Sequence, residues 1–481
     1  MREQGVAETS RSNGSYLLAF GTLIVALGIS LGVYTDRTSL SWVALTWVVA
    51  GLLVLINLRF ALYLCVFLIP WQVYLGNWPD STYTFRFEDI LIAWISVITL
   101  LRFPKSANLL LSKWLLPFWF FIVIAVSSGL LRGDLYGISK FIIDWLPSLT
   151  FYWLLLFWIS NLSWRVLLSF FLLSYALQAT LGIFQIIISD PQIVISFLQS
   201  PIAKVFFDPD ALDIRVFDRS LNFIWRNQVF AFGTYLSSSG LGVLLATIGT
   251  LCWSFALQAR RLIISPNFYL GILFYIVCIL TMKRSGWVSL IAGLLTILAL
   301  NYKDIGRFKI IRLSTILGLI AILISIFSYW QRDTLLDRVT DQFGWEFGRE
   351  NTWPVYLDLI WKQPVIGYGP SYPQGSAMLG LTPLDYAIGP ENTYLHLALT
   401  AGLLGEASLL WLVLYMMYCL WRARWVTNRN PVIAVSSGLA AFGIGGIFFI
   451  AVGDLQSMGP LLFLLAFAYK HTMIGDLQKV S

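Results

Sequence analysis

Residues 392–421 read NTYLHLALTAGLLGEASLLWLVLYMMYCLW. This stretch contains one carboxylate, Glu406, and one histidine, His396, among residues that are otherwise mostly apolar or small. About 20 apolar residues in a helix cross a hydrocarbon core about 30 Å thick, because a helix satisfies its own backbone hydrogen bonds. The stretch therefore predicts a helix that spans a membrane.

The rest of the chain has a similar composition. Of its 481 residues, 58% are hydrophobic and 12% are charged, and the mean hydropathy is +0.76. A water-soluble protein of that size needs more charge on its surface, so the composition indicates a chain whose solvent is the bilayer. We predict an all-α polytopic membrane protein with about 14 transmembrane helices, in a range of about 12–14. The spans are predicted near 16–34, 40–57, 60–77, 87–103, 113–131, 138–160, 165–189, 229–257, 264–281, 285–301, 311–330, 392–421, 432–453 and 457–473.

The distribution of positive charge orients these spans. If the N-terminus is cytoplasmic, the cytoplasmic segments carry eighteen of the 32 Lys and Arg residues, and the other fourteen face outward. Eight of those fourteen lie in two long outer loops, where the positive-inside rule has little force, which leaves eighteen against six. We therefore expect both termini to be cytoplasmic. The net charge of +7 follows from this topology and does not indicate a nucleic-acid partner.

The two long outer loops are expected to contain short helices. The first, 190–228, balances basic against acidic residues, whereas the second, 331–391, is aromatic as well as charged. Within the second, residues 351–361 space their apolar side chains like a helix that lies on the membrane surface. Its rings, Trp353 among them, form either an interfacial aromatic belt or a wall on which sugars stack. The predicted segments are a cytoplasmic tail (1–15), a transmembrane bundle (16–189), the first outer loop (190–228), further spans (229–330), the second outer loop (331–391), the last spans (392–473) and a cytoplasmic tail (474–481).

Ionisable residues at the outer edge of a membrane are candidates for function. Lys283 and Arg284 occupy a short outer turn between two apolar spans, where topology calls for no positive charge. A phosphate-bearing ligand would account for the pair, because the planar fork of arginine binds phosphate oxygens in a bidentate way. The alternative is that both cations reach towards lipid headgroups.

The start of the 392–421 span contains a second group of candidates. Asn392 is a good helix N-cap, so the positive end of this helix should face outward beside Glu391 and attract an anion. Glu391 either stabilises the helix dipole or acts in a site as a base or an orienting group. His396, one turn further, is either functional or a buried packing residue, and Glu406 is expected near mid-membrane, protonated or paired.

Short motifs are spread over the second half of the chain. They are Phe232-Gly233-Thr234-Tyr235, Arg284-Ser285-Gly286-Trp287, Arg349, Trp353, the segment from Gln363 to Pro370 (QPVIGYGP), Glu391-Asn392-Thr393-Tyr394-Leu395 and Gly402-Leu403-Leu404-Gly405. Nine residues, 393–401, separate the pair Glu391-Asn392 from Gly402. These motifs and this spacing resemble the O-antigen ligase and Wzy-type polymerase superfamily of bacterial membrane glycosyltransferases. The resemblance covers about 200–470 and implies a GT-C-like O-antigen ligase fold.

Two positions depart from the family pattern. Glu391 stands where the family has the histidine that is named as catalytic base or orienting residue. Either Glu391 still accepts the proton of the acceptor, or His396 has taken over, or this branch has lost or changed its activity. Gln228 occupies roughly the place of a family arginine, so a neighbouring arginine must substitute for it. The candidates are Arg226, which is nearest the membrane and is favoured, Arg219 and Arg215.

The resemblance implies an inverting glycosyltransferase that moves a glycan from a polyprenyl-pyrophosphate donor to a hydroxyl on a glycan or lipid acceptor. It implies a site on the periplasmic face of the bacterial inner membrane, in the assembly of lipopolysaccharide or another surface polysaccharide, with no metal or other cofactor. Arg284 and Lys283, with an arginine of 215–226, would bind pyrophosphate, and Glu391 would accept or orient the proton. Arg349, Asn392 and Trp353 would add substrate contacts, and the polyprenyl tail would lie among membrane lipids between spans. The alternatives are a small-solute or anion transporter and a non-catalytic component of a polysaccharide export complex.

Overall fold

The computed structural model describes most of the predicted spans. At several ends of helices and strands, Arg284 among them, it describes the backbone but not the side chain. The predicted span near 16–34 and, apart from Gly318, the one near 311–330 lie outside the described residues. The described ranges are 40–71, 74–77, 84–159, 161–188, 224–225, 228–229, 238–259, 264–281, 283–301, 318, 347–370, 392–423, 429–447 and 455–480.

Within these ranges the protein is mainly helical, with one 3₁₀-helix, Pro104–Leu111, and two short antiparallel strand pairs. The first pair joins β1 (Tyr74–Asn77) to β2 (Thr84–Arg86), and the second joins β3 (Ile224–Trp225) to β4 (Gln228–Val229). The α-helices are α1 (Leu40–Ile56), α2 (Leu58–Leu68), α3 (Phe87–Arg102), α4 (Leu116–Leu131), α5 (Leu135–Trp158), α6 (Trp164–Ile188), α7 (Ser238–Gln258), α8 (Pro266–Leu280), α9 (Arg284–Asn301), α10 (Phe347–Lys362), α11 (Thr393–Ala423), α12 (Arg429–Gly445) and α13 (Leu455–Val480).

Helices lie where the apolar runs predict them over most of the described chain. The helices α4, α5, α6, α8 and α9 begin and end within three residues of the predicted spans. The predicted span 60–77 is wrong, because α2 ends at Leu68 and residues 74–77 form strand β1. Pro70 follows the end of α2 and lacks the backbone N–H that would continue the helix.

Apolar length supports a membrane protein. Four described helices, α5, α6, α7 and α11, are long and apolar enough to cross a bilayer. The helix α3 and the 3₁₀-helix meet at 114° and count as a fifth if they form one broken span. Six shorter apolar helices accompany them in the described ranges. The protein is therefore a helical membrane-embedded chain, and the number of about 14 spans stays a prediction.

One compact unit comprises Met1–Leu111, Leu146–Ser237 and Asp454–Pro460. In its described core α1 packs on α3, and α2 packs on α6. Two indole groups of α5 bridge to the α3 region: Trp153 Nε1 donates to the Ser106 carbonyl at 3.1 Å, and Trp158 Nε1 donates to Thr99 Oγ1 at 3.1 Å. Both buried indole N–H groups are thus satisfied.

A second unit comprises Ser112–Trp145, Ser238–Gly453 and Leu461–Ser481. Its main bundle is built on α7, which packs against α8, α9 and α12. Small residues bring these helices close together: a Cβ added to Gly293 of α9 would lie 2.4 Å from Thr250 of α7, and one added to Gly249 would lie 2.6 Å from the Tyr275 ring of α8. Such close approach between small residues is typical of helix pairs in membranes.

The same contacts fix the helix directions within this unit. Gly286 lies beside Gly242 and Gly293 beside Thr250, so α9 runs parallel to α7. Gly445 contacts Val243 and Gly438 approaches the Thr247 carbonyl, so α12 runs antiparallel to both. The N-terminus of α9 and the C-terminus of α12 therefore lie at the same end of the bundle.

Candidate functional site

The first turn of α11 meets the end of α12. The Thr393 amide donates to the Gly446 carbonyl at 2.9 Å, and the Tyr394 hydroxyl donates to the Gly443 carbonyl. On the other side of α12, a Cβ added to Gly445 would lie 2.2 Å from Ser289 Oγ of α9. The end of α12 thus lies between the outer parts of α9 and α11.

This arrangement gives Arg284 and Asn392 the same side of the bundle. Arg284 begins α9 five residues before Ser289, which places its backbone about 7.5 Å further towards the helix start. Asn392 directly precedes α11. Both positions therefore lie at the end where α12 terminates, which is the side that the charge distribution assigns to the outside.

Asn392 caps α11, as the sequence predicts. Its side-chain oxygen accepts hydrogen bonds from the backbone amides of Tyr394 at 2.9 Å and Leu395 at 3.1 Å, and the residue is 6% exposed. Together with the bond from Thr393 to Gly446, this leaves the first three amides of α11 all engaged. The expectation that this helix start attracts an anion is therefore corrected: the dipole remains, but its N–H groups already have partners.

Replacing Asn392 with alanine is expected to destabilise the folded protein by about 0.5–2 kcal/mol, because two amides lose their cap. Asn392→Asp keeps an acceptor oxygen and should behave like the native chain. The check is the unfolding midpoint in a denaturing-detergent titration of purified protein. Equal midpoints for the alanine variant and the native chain would contradict the cap.

His396 lies one turn into α11. Its Nδ1 is buried and has no hydrogen-bond partner among the described residues. Its backbone is regular, since its amide donates to the Asn392 carbonyl at 3.0 Å and its carbonyl accepts from Thr400 Oγ1 at 2.8 Å. The helix therefore fixes the backbone position of His396, and Nδ1 of its ring can still form a hydrogen bond with a ligand.

At the start of α9 the first turn is differently arranged. The Lys283 carbonyl accepts hydrogen bonds from the amides of Gly286 at 3.1 Å and Trp287 at 3.4 Å. The Lys283 side chain is half-buried. Two polar side-chain atoms of this turn, Ser285 Oγ and Trp287 Nε1, are buried and have no hydrogen-bond partner among the described residues.

The structure does not describe all of the predicted site residues. Glu391, Arg226, Arg219 and Arg215 lie outside the described residues. For Arg284 and Arg349 only the backbone is described, at the start of α9 and in the first turn of α10. Trp353 is half-buried in α10. The described positions that share the outer end of the bundle are thus Lys283, Arg284, Asn392 and His396.

A contact that the sequence did not predict joins the segment Pro364–Pro370 to α11. Gly402 has φ 68° and ψ 178°, and this conformation breaks α11 into an outer half and an inner half. The groups freed by the break pair with the segment: Tyr368 N donates to the Leu399 carbonyl at 2.6 Å, Gly369 N to the Thr400 carbonyl at 3.0 Å, and Leu403 N to the Pro364 carbonyl at 2.7 Å. Non-helical backbone at membrane depth is tolerated only when protein satisfies it in this way.

Glycines make this junction possible. A Cβ added to Gly402 would lie 2.2 Å from the Val365 carbonyl oxygen, and one added to Gly367, which has φ 65°, would lie 2.5 Å from the Gly402 nitrogen. A Cβ added to Gly369, which has φ 91°, would lie 3.1 Å from the Cα of Gly129 in α4. The glycines of two separate motifs are thus spatial neighbours. The sequence signal that could have indicated this break is Gly402, a glycine within a long apolar run.

Helices α4 and α10 both contact the segment, since Tyr368 packs in one buried cluster with residues of α10. Ser128 Oγ of α4 donates to the Gly367 carbonyl at 3.1 Å, and the Arg132 guanidinium bonds Gln363 Oε1 and lies 4.4 Å from the Tyr368 ring centroid. These contacts fix the segment at the outer end of α4. Arg132 is exposed, so the ring contact and the hydrogen bond, rather than burial, define its position.

The helix expected over 351–361 is confirmed as α10, and its position on the membrane surface stays a prediction. Its inner face, Tyr356, Leu359 and Ile360, packs with Ala398 and Leu399 of α11. Its outer face exposes Leu357 by 45% and Trp361 by 72%. The Lys362–Asp358 ion pair, at 2.7 Å, lies on the surface, and the hydrogen bond to Asp358 raises the pKa of the Lys362 ammonium above its ordinary value.

The comparison with protein families covers this part of the chain. Residues 268–410 match the O-antigen ligase family. The match includes the start of α9, all of α10, the segment Pro364–Pro370 and the outer half of α11, so the resemblance to the O-antigen ligase and Wzy superfamily is confirmed. No curated protein sequence matches the chain at a significant level. The match over these residues suggests a role in membrane glycan assembly, of the glycosyltransferase-like ligase or polymerase kind.

Proposed function

We propose that the protein transfers a glycan from a polyprenyl-pyrophosphate donor to an acceptor hydroxyl during the assembly of a surface polysaccharide. The observation that carries this proposal is the common position of Arg284 and Asn392 at one end of the α9, α11 and α12 group, within the O-antigen ligase family region. That end belongs to the periplasmic side of a bacterial inner membrane. The acceptor is a glycan or a lipid.

In this mechanism the acceptor oxygen attacks the anomeric carbon, and the bond from that carbon to the diphosphate oxygen breaks. Negative charge develops on the leaving diphosphate, and Arg284 with Lys283 stabilises it without a metal ion. The attack occurs opposite the leaving group, so the sugar configuration inverts. Arg226, Arg219, Arg215 and Arg349 are further phosphate-binding candidates on sequence grounds.

The hydroxyl proton passes to a base, and Glu391 is the proposed acceptor of that proton. Glu391 directly precedes Asn392, the N-cap of α11. It is therefore expected at the end of the bundle where α9 begins with Arg284. His396, one turn inward with an unpartnered Nδ1, is the alternative base.

Replacing Glu391 with glutamine is expected to slow glycan transfer about 100-fold, because an amide cannot accept the proton. Glu391→His should keep more activity, because imidazole is a competent base at the position where the family has histidine. The assay is surface polysaccharide formed by cells that carry each variant, at equal protein levels. Full polysaccharide from both variants would exclude Glu391 as the base and direct attention to His396→Gln.

A separate experiment decides between ligase and polymerase. Deleting a polymerase should collapse the ladder of product lengths, whereas deleting a ligase should leave the ladder intact but unattached to its final carrier. Electrophoresis of the lipid-linked and carrier-linked products makes the distinction.

One observation bears on the transporter alternative. Broken transmembrane helices often mark the substrate sites of transporters, and α11 is broken at Gly402. Here the backbone groups at the break, Leu399 O, Thr400 O and Leu403 N, are bonded to the segment Pro364–Pro370. The break is thus filled by protein, which favours the enzyme over a transporter. Solute uptake by purified protein in liposomes would reverse this preference.

A further inference from the structure

The hydroxyl of Ser285 is buried without a hydrogen-bond partner among the described residues. Ser285 lies in the first turn of α9 and is 4% exposed. Most buried hydroxyl groups in native proteins are paired, and an unpaired one is destabilising. The simplest physical explanation for this unpaired hydroxyl is that it binds a ligand.

Ser289, one turn further along α9, is a serine of the same helix whose hydroxyl does have a hydrogen-bond partner. Its Oγ donates to the Ser285 carbonyl at 2.7 Å, the usual bond of a helical serine to the carbonyl one turn earlier. Ser285 has no helical carbonyl one turn earlier, because α9 begins at Arg284. Since helical Cα–Cβ bonds tilt towards the N-terminus, its hydroxyl leans towards the outer end of the bundle.

The surroundings select a negatively charged partner. Lys283 and Arg284 directly precede Ser285, and the positive end of the α9 dipole points the same way. By contrast, the first three amides of α11 are engaged by Asn392 and Gly446, so that helix start offers fewer donors. The indole N–H of Trp287 is also unpartnered, but it lies about 200° around the helix from Ser285 and faces another direction.

We propose that Ser285 Oγ donates a hydrogen bond to a phosphate oxygen of the diphosphate, and that Ser285 is a binding residue for the leaving group. The inference rests on the proposed function, because the diphosphate is the anion that the proposed donor brings to this end of α9. It assigns the binding of diphosphate to the start of α9 rather than to the start of α11. A headgroup phosphate of an anionic lipid has the same chemistry and is the competing source.

The test is the binding of inorganic pyrophosphate to the purified full-length protein in a non-ionic detergent, measured by isothermal titration calorimetry. Ser285→Ala should weaken pyrophosphate binding about 10- to 100-fold, because a hydrogen bond to a charged group is lost. Ser289→Ala, the matched control, should bind pyrophosphate within about 2-fold of the native chain. Ser285→Thr keeps the hydroxyl and should retain binding.

A stability measurement separates binding from folding. Because Ser285 Oγ has no partner, its removal should leave the unfolding midpoint unchanged or raised, whereas Ser289→Ala should lower it. A lower midpoint for Ser285→Ala together with native pyrophosphate affinity would mean a structural hydroxyl and would overturn the inference.

The remaining variants distinguish the inference from the proposed function. If Ser285→Ala binds pyrophosphate normally while Arg284→Ala does not, the inference fails and the proposed function stands. If Arg284→Ala also binds normally, both fail. In nanodiscs, loss of a preference for phosphatidylglycerol over phosphatidylcholine in Ser285→Ala, with pyrophosphate binding intact, would identify a lipid headgroup as the partner and overturn the inference.

Discussion

Protein carrying Arg284→Ala is expected to transfer glycan about 100- to 1,000-fold more slowly than the native chain. In the proposed mechanism the departing diphosphate gains negative charge in the transition state, and the guanidinium of Arg284 would stabilise that charge with two parallel hydrogen bonds. Arg284→Lys should recover only part of the rate, because an ammonium group is a point charge without the fork. The measurement is the rate of product formation from a purified lipid-linked donor in reconstituted membranes.

Arg132→Ala provides the matched control for this prediction. Arg132 is also predicted to face outward, but its guanidinium is committed to Gln363 and the Tyr368 ring. Its removal should lower the unfolding midpoint and change the transfer rate less than about 10-fold. A native transfer rate for Arg284→Ala, or a larger loss for Arg132→Ala, would remove Arg284 from the site.

Gly402→Ala is expected to destabilise the fold by about 2–5 kcal/mol, enough to leave little folded protein in the membrane. The added Cβ would meet the Val365 carbonyl at 2.2 Å, and the φ of 68° is unfavourable for any residue with a Cβ. Relief of either strain would separate α11 from the segment Pro364–Pro370 and break three backbone hydrogen bonds. Fluorescence-detected size exclusion and detergent unfolding measure the outcome.

The control for this variant is Gly443→Ala in α12. The nearest atom to its added Cβ is the Tyr394 hydroxyl at 3.6 Å, an ordinary contact, and alanine favours the helix. This variant should fold as the native chain does or slightly better. If Gly402→Ala folds equally well, the break in α11 is not the conformation that the protein adopts.

Hydropathy predicts most of the described helices because many apolar runs are bounded by polar or charged residues. Helix α9, for example, begins within the pair Lys283-Arg284, and α6 follows the polar segment around Asn161. The cap at Asn392 is predictable for a similar reason, since the residue type itself supplies the bond. Both features depend on neighbouring residues in the sequence, which are what hydropathy and capping rules use.

The break at Gly402 could not be predicted in the same way. The hydropathy of 392–421 is continuous, and a single glycine is tolerated in a helix. What selects the left-handed conformation is the segment Pro364–Pro370, which lies more than thirty residues earlier and offers the Pro364 carbonyl and the Tyr368 and Gly369 amides. Long-range pairing of backbone groups leaves little trace in a hydrophobic profile.

The sequence predicts on which side of the membrane the candidate site lies. It predicts less well which side-chain atoms of the site lack hydrogen-bond partners. Charge counting assigns Lys283 and Asn392 to the outside, and the helix directions put both positions at one end of the bundle. The unpaired atoms of Ser285 and His396 could not be foreseen, because serine and histidine are usually satisfied by neighbours that only the packing reveals.

The divided span has a mechanical consequence. The outer half of α11, which begins beside Asn392 and carries His396, is bonded to α12 and to the segment Pro364–Pro370. The inner half rests on α4 and on the residues just before it: Ser408 Oγ donates to the Pro117 carbonyl at 3.1 Å, and Lys113 Nζ donates to the Tyr415 hydroxyl at 3.1 Å. A displacement of the second outer loop would therefore carry the first two turns of this helix with it, while the inner turns stay anchored.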